Sequence, residues 1–265
     1  GTTNNVVGSI VNDGMVQFNQ INAGTFGGTI SGRGNVQING VGPITFAGNN
    51  TYTGGTTVMS GSTLIIGPSG SIAGAILIDN GGTLMSEGAV GATTVAAGGT
   101  IYPGTVGAPM TINGNFVQNT GSAFTAEIAP SASDKIIVTG TATVASGTTL
   151  NLVVDPGTYT VGSRYVILTA AGGLTGTYLN QTATSTSQNI VFAQHYSAND
   201  LQLSVDSNLA PHAQSANQAA VATAIDRASG SSTGDFSTVI TGLTTLGAGP
   251  LSDALNQLSG DIYPS

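Results

Sequence analysis

Val58–Leu64 reads VMSGSTL, and the same spacing returns as IDNGGTL at Ile78–Leu84, VAAGGTI at Val95–Ile101 and VASGTTL at Val144–Leu150. Each copy has an aliphatic residue, a Gly three positions on, then Thr and a second aliphatic residue. A single copy is what an ordinary hairpin would show, but four with matched Thr indicate an internal repeat. Upstream, Gly14-Met15-Val16-Gln17-Phe18-Asn19 returns as Gly34-Asn35-Val36-Gln37-Ile38-Asn39, and Val58 to Ile78 spans the same interval of twenty residues. That period suits one coil of a solenoid. The Gly marks a bend where φ is positive or a neighbouring coil excludes a Cβ. Stacked parallel coils place Val and Ile in internal columns, with Thr, Ser and Asn ladders outside.

Composition agrees. The 265 residues include 40 Gly, only 6% charged residues and 40% hydrophobic residues. Thr, Ser, Asn, Val and Ile favour strands and tight turns, and the apolar content is enough to offset chain entropy, which argues against disorder. Four basic residues, Arg33, Lys135, Arg164 and Arg227, stand against twelve acidic ones, for a net charge of −8. This leaves no cationic footprint for nucleic acid or anionic lipid. Cysteine is absent, which excludes disulfides and thiolate chemistry and suits passage through an oxidising compartment. Gly1-Thr2-Thr3-Asn4 has neither the basic nor the apolar region of a signal peptide, so the chain is expected to be an interior piece of a longer one.

Near the end of the β region, Ile190 and Phe192, the turn Ser197-Ala198-Asn199-Asp200, and the alternating Leu201, Leu203 and Val205 predict a hairpin. Such an element could cover the strand edges and apolar core that the last coil would otherwise expose. From Asn208 the periodicity becomes helical. The Ala-rich Asn217–Asp226 segment stops near Gly230. Phe236, Val239, Ile240, Leu243 and Leu246 follow Asp235 as N-cap, with Gly247 ending the helix. Leu251, Leu255 and Leu258 lie between Pro250 and Gly260. Three short helices are predicted.

Candidate chemistry is sparse. His195 and His212 are the only bases of their kind, and neither sits in a supporting motif; both read as structural or solvated. Gly121-Ser122 and Gly70-Ser71 lie in turn contexts and not on a nucleophile elbow. Asp134-Lys135 and Asp155-Pro156-Gly157 read as turn chemistry, and the few charges look scattered, which argues against a polysaccharide lyase on the same scaffold. No catalytic residue, cofactor or metal site is assigned.

Several segments carry a resemblance. Asn49–Val58, NNTYTGGTTV, continuing to Leu64-Ile65-Ile66-Gly67, resembles the strand repeat of classical autotransporter passengers. Gly157–Leu168, GTYTVGSRYVIL, and Gly172–Tyr178, GGLTGTY, resemble their autochaperone region. Asn217–Asp226 and Leu255–Ser265, LNQLSGDIYPS, resemble the linker before the translocating barrel. The resemblance implies an all-β, right-handed parallel β-helix with a C-terminal β cap, followed by short α-helices. It divides the chain into a stem over 1–108, an autochaperone cap over 109–207 and a helical linker over 208–265. It also implies a non-enzymatic stem whose cap folds first outside the cell, and whose partners are its own outer-membrane β-barrel and the barrel assembly machinery. The implied location is the bacterial surface, or the medium after secretion, reached through the periplasm. Tyr159, Gly162, Tyr165, Leu168, Gly173, Leu174, Gly176 and Tyr178 are the residues expected to build the folding cap. An adhesin or self-association surface, meeting host cells, matrix or neighbouring bacteria, is the competing expectation. A glycan-active enzyme is a more distant one.

Overall fold

The computed structural model describes residues 8–184 and 186–260. Parallel strands stack in three columns to form a β-solenoid of about seven turns, with three short helices at its C-terminal end. One column begins Ile10–Val11, Ile30–Ser31, Asn49–Asn50, Ser71–Ile72. A second runs Met15–Phe18, Asn35–Ile38, Thr56–Val58, Ile76–Ile78. The third runs Gly24–Phe26, Ile44–Phe46, Thr63–Ile66, Thr83–Ser86, Thr100–Tyr102, Ala123–Ala129, Thr149–Val154, Asn180–Ala183. The first two columns fuse in the longer strands Ala89–Val95 and Pro109–Gln118, and then separate again as Lys135–Val138 and Ala142–Val144.

The repeat sets this geometry. Met59, Asp79, Ala96 and Ala145 each accept, at their carbonyls, a hydrogen bond from the N–H three residues on. The Gly third in each turn has φ of 73° (Gly61), 75° (Gly81), 78° (Gly98) or 81° (Gly147), the value a type II turn requires at that place. The same glycines form a ladder: Gly61 N–H donates to Gly81, Gly81 to Gly98, Gly98 to Gly121 and Gly121 to Gly147, at 2.9–3.1 Å. Coils therefore join at their corners as well as along their strands.

Register follows the predicted period in the first four coils: Val16 faces Val36, Val36 faces Thr56, and Thr56 faces Ile76, each twenty residues on. Beyond them the coil length changes. Ile76 faces Thr93, Thr93 faces Phe116, Phe116 faces Ala142, and Ala142 faces Leu174. The coil first shortens and then lengthens towards the C-terminal end, as excursions are inserted at corners and the register shifts between Gly91 and Thr93. The interior is a column of apolar side chains in which Ile44, Leu64, Leu84, Ile101, Phe124 and Leu150 stack fully buried. Each contributes about 1.5–3 kcal/mol of burial.

At the C-terminal end the parallel order stops. Arg164–Ala170 runs parallel to Lys135–Val138 on one side but antiparallel to Asp200–Ser207 on the other, and Asp200–Ser207 pairs antiparallel with Ile190–Tyr196. The turn of this hairpin is the predicted one, with Ser197 N–H donating to the Asp200 carbonyl at 2.9 Å. The helices follow: α1 (Ala216–Ser229), α2 (Gly234–Thr244) and α3 (Ala248–Ser259). Thr233, not Asp235, is the N-cap of α2, so Asp235 falls in the first turn, where its charge suits the helix dipole. Phe236 and Val239 are largely exposed, and the buried face of α2 is instead Ser237, Ile240 and Thr244. The segment Asp261–Ser265, part of the predicted pre-barrel stretch, lies outside the described residues, as does Gly1-Thr2-Thr3-Asn4.

Candidate functional site

The eight residues expected to form the cap lie at the closing end of the solenoid, and three of them are tyrosines turned inward. Tyr159 is fully buried. Its hydroxyl donates to the Ile128 carbonyl at 2.7 Å and also lies 2.8 Å from the Asp155 carbonyl, and its ring meets Phe192 edge-on at 5.6 Å. Tyr165 donates its hydroxyl to the Pro130 carbonyl at 2.8 Å. Tyr178 reaches furthest, donating to Gln118 Oε1, with its ring 6.1 Å from Phe124. A buried aromatic with its polar tip satisfied contributes apolar area and fixes direction together. Burial pushes the Tyr159 phenol up to about 12 and raises those of Tyr165 and Tyr178. All three remain neutral donors at any physiological pH.

Leu168 is fully buried between Ile136 and Leu201, and Leu174 packs half-buried opposite Ala142. Gly176 lies directly on the preceding coil: a Cβ there would fall 1.8 Å from the Val144 carbonyl oxygen. At Gly162 a Cβ would fall 2.2 Å from the Ser232 carbonyl, which places the α1–α2 connection against the cap backbone. Gly173 has φ 106° and its carbonyl accepts the Ala142 N–H at 2.9 Å.

Other contacts were not foreseen from the sequence. Gln188 is buried and bonds the backbone of Tyr159 twice, accepting its N–H at 2.6 Å and donating to its carbonyl at 3.1 Å. From α2, Ser237 donates to the Val161 carbonyl, and Thr241 accepts the Val161 N–H at 2.9 Å. Asp226 on α1 accepts the N–H groups of Leu209 and Ala210 at 2.9 Å and the Ser207 hydroxyl at 2.6 Å. Ile240 of α2 enters the solenoid core, while Leu209, Ala222, Leu251 and Leu255 make a second small core. Hydroxyl and amide side chains at such positions look like surface composition until the partner strand is known.

His195 lies on the closing hairpin, with Nε2 2.8 Å from Ser204 Oγ, and Ser204 Oγ donates to Asp206 Oδ1 at 2.6 Å. The hydroxyl has one proton, which goes to Asp206, so the imidazole donates to Ser204. Serine thus stands between base and carboxylate, and is itself fully buried. In a Ser-His-Asp relay the imidazole stands between and takes the hydroxyl proton. His212 is exposed at the end of a short 3₁₀ turn, Ala210–His212.

The acidic residues are less scattered than their sequence positions suggest. Glu87, Glu127 and Asp155, from three coils of the stack, come near enough for their charges to reach Asp134, which shares the coil of Glu127. Tyr102 donates its hydroxyl to Glu127 Oε2 at 3.0 Å, and burial, this bond and the surrounding carboxylates raise its phenol. Stacking carried these residues together across intervals that no local motif marks. Among the described residues no group of three or more His, Cys, Asp or Glu side chains could hold a metal ion. No described helix is long and apolar enough to cross a membrane.

No protein-family model matches the chain. Over 208 residues, 74% of its length, it is 31% identical to an extracellular serine protease of Serratia marcescens, 19% of which is covered. Over 109 residues, 40% of its length, it is 35% identical to the adhesin BmaC autotransporter of Brucella suis biovar 1 (strain 1330), 3% of which is covered. The chain thus spans a small part of both curated relatives. These relatives and the parallel β-solenoid together fit an autotransporter passenger region.

Proposed function

We propose that the chain is the stem and folding-promoting end of a surface-displayed or secreted passenger. In this reading residues 1–108 form the stem, residues 109–207 nucleate folding, and residues 208–265 lead towards an outer-membrane β-barrel belonging to the full-length protein. The observation that supports it most is the antiparallel hairpin Ile190–Ser207, paired with Arg164–Ala170 in a segment that the hydroxyls of Tyr159, Tyr165 and Tyr178 anchor to the earlier coils. A surface so anchored offers the preceding coil a finished template. Each added coil then meets a preformed strand edge and buries its apolar column, which lets folding outside the cell oppose backsliding.

The test compares guanidinium unfolding and refolding of the full chain with a truncation ending near Gly107, followed by far-UV circular dichroism. A cooperative β transition in the full chain, lost in the truncation, supports the reading; equal folding of both rules it out. In the full-length protein, replacing Tyr165 or Leu174 by Asp should reduce the displayed passenger while its barrel still inserts. An adhesive or self-association surface is the second reading, favoured by the adhesin name of one relative. It predicts that the immobilised chain binds host cells or matrix or clumps bacteria, whereas a stem is inert. The serine protease named among the relatives is covered over too little of its length to carry its activity here.

A further inference from the structure

The platform that receives Tyr159 and Tyr165 is a short antiparallel excursion at the end of the strand Ala123–Ala129, in which Ile128 faces Ser133 and Ala129 faces Ala132. Asp134 closes it. Its N–H donates to the Glu127 carbonyl at 2.8 Å, and its Oδ2 accepts the Glu127 N–H at 2.8 Å. The side chain is fully buried, and Oδ1 has no hydrogen-bond partner. Both tyrosine hydroxyls and the Gly157 backbone, packed against the Pro130 ring, rest on the segment that this residue holds shut.

The charges that reach Asp134 are all negative: Glu127 from its own coil, Asp155 beyond the strand Thr149–Val154 of the next, and Glu87 after the strand Thr83–Ser86. Of the other titratable groups at this joint, Tyr102 is bonded to Glu127, Tyr159 and Tyr165 stay neutral, and Lys135 follows Asp134 as the first residue of the strand Lys135–Val138. An ionised Asp134 would be desolvated, bonded at one oxygen only and repelled by three carboxylates. A neutral carboxyl escapes the last of these and most of the first.

We propose that Asp134 is a proton-operated latch: protonated, it holds the 128–134 excursion as the seat of the cap, and its ionisation loosens that seat. The latch stands on the geometry of the joint and holds whether or not the cap promotes folding. Burial, opposed by the Glu127 N–H and reinforced by the neighbouring carboxylates, raises the carboxyl from its ordinary 3.8 to about 7. The folded chain therefore keeps a proton that the unfolded chain has released. The stabilisation is complete below 3.8 and is lost as pH rises through about 7.

The experiment uses the whole chain. The carboxyl carbon of Asp134 is titrated by NMR, and the guanidinium midpoint is measured from about pH 5 to about pH 8.5 in wild type and in Asp134→Asn, which keeps the acceptor for Glu127 N–H but cannot ionise. Titration near neutrality, with a midpoint that falls up to about pH 7 in wild type, levels off above it and stays level throughout in Asp134→Asn, is the expected result. A carboxyl titrating near its ordinary value, or a pH profile unchanged by the substitution, overturns the latch. Should the variant not fold, the titration of the wild-type carboxyl decides alone.

Discussion

Gln118 occupies a position where the solenoid otherwise places an aliphatic residue. Val58, Ile78, Val95, Gln118 and Val144 face one another in succession, and Gln118 is fully buried. Its oxygen receives the Tyr178 hydroxyl from sixty residues away, while Nε2 is 3.5 Å from Ser122 Oγ. A buried amide costs free energy when unpaired, so this pair penalises any docking of the cap one coil out of place. Gln118→Leu and Tyr178→Phe should each cost about 1–3 kcal/mol by leaving the partner unsatisfied, whereas the double variant should recover most of that loss. Strictly additive midpoints in guanidinium would show that the two side chains are not coupled. The same corner shows where sequence reading stopped. Gln118–Phe124, QNTGSAF, is a fifth copy of the turn, with Gly121 at φ 81°, but it lacks the aliphatic and Thr residues that made the other four visible. The Gly three positions after Gln118 was the one remaining signal.

Elements were legible in proportion to how local their causes are. The closing hairpin and the three helices follow from alternation, helical periodicity and turn residues within short windows and lie close to the predicted spans, though Thr233 caps α2 and Gly247, expected to end it, caps α3 instead. The outward turn of Phe236 and Val239 was not legible, because the orientation of α2 is set by Ser237, Thr241 and Thr244 bonding Val161 and Gln188 across the cap. α1 has its own tie to the hairpin, separate from the bonds that hold α2. Asp226 satisfies two backbone N–H groups and one hydroxyl at the exit from Asp200–Ser207. Asp226→Ala should leave those donors unpaired and weaken helix docking by about 2–3 kcal/mol, with the solenoid intact. Amide exchange should accelerate in α1 and in α3, which shares its small core, while α2 and the strands stay protected. Loss of protection throughout would show that the helices are integral to the solenoid and not an attached layer.

For the whole molecule, the stacked architecture makes stability a sum of coil terms and interfaces between neighbours, so a defect in one coil should divide the chain. Gly98 suits such a test. Its φ of 78° strains any side chain, and a Cβ would fall 2.2 Å from Asn80 Oδ1, so that amide would have to swing aside. Its N–H and carbonyl both belong to the glycine ladder. Gly98→Val combines an unfavourable left-handed backbone, about 1–2 kcal/mol for the first methyl alone, with a broken corner between the fourth and fifth coils. Coils on the C-terminal side keep the hairpin, the tyrosine anchors and the helices. Those on the N-terminal side keep only each other, since the apolar column that stabilises every coil is completed by the next one towards the cap. Limited proteolysis should therefore release the first coils and leave a resistant core from about residue 100 onward. An unbroken, all-or-none loss would mean that cooperativity spans the whole solenoid, and growth from the capped end would then have no stable intermediate on which to build.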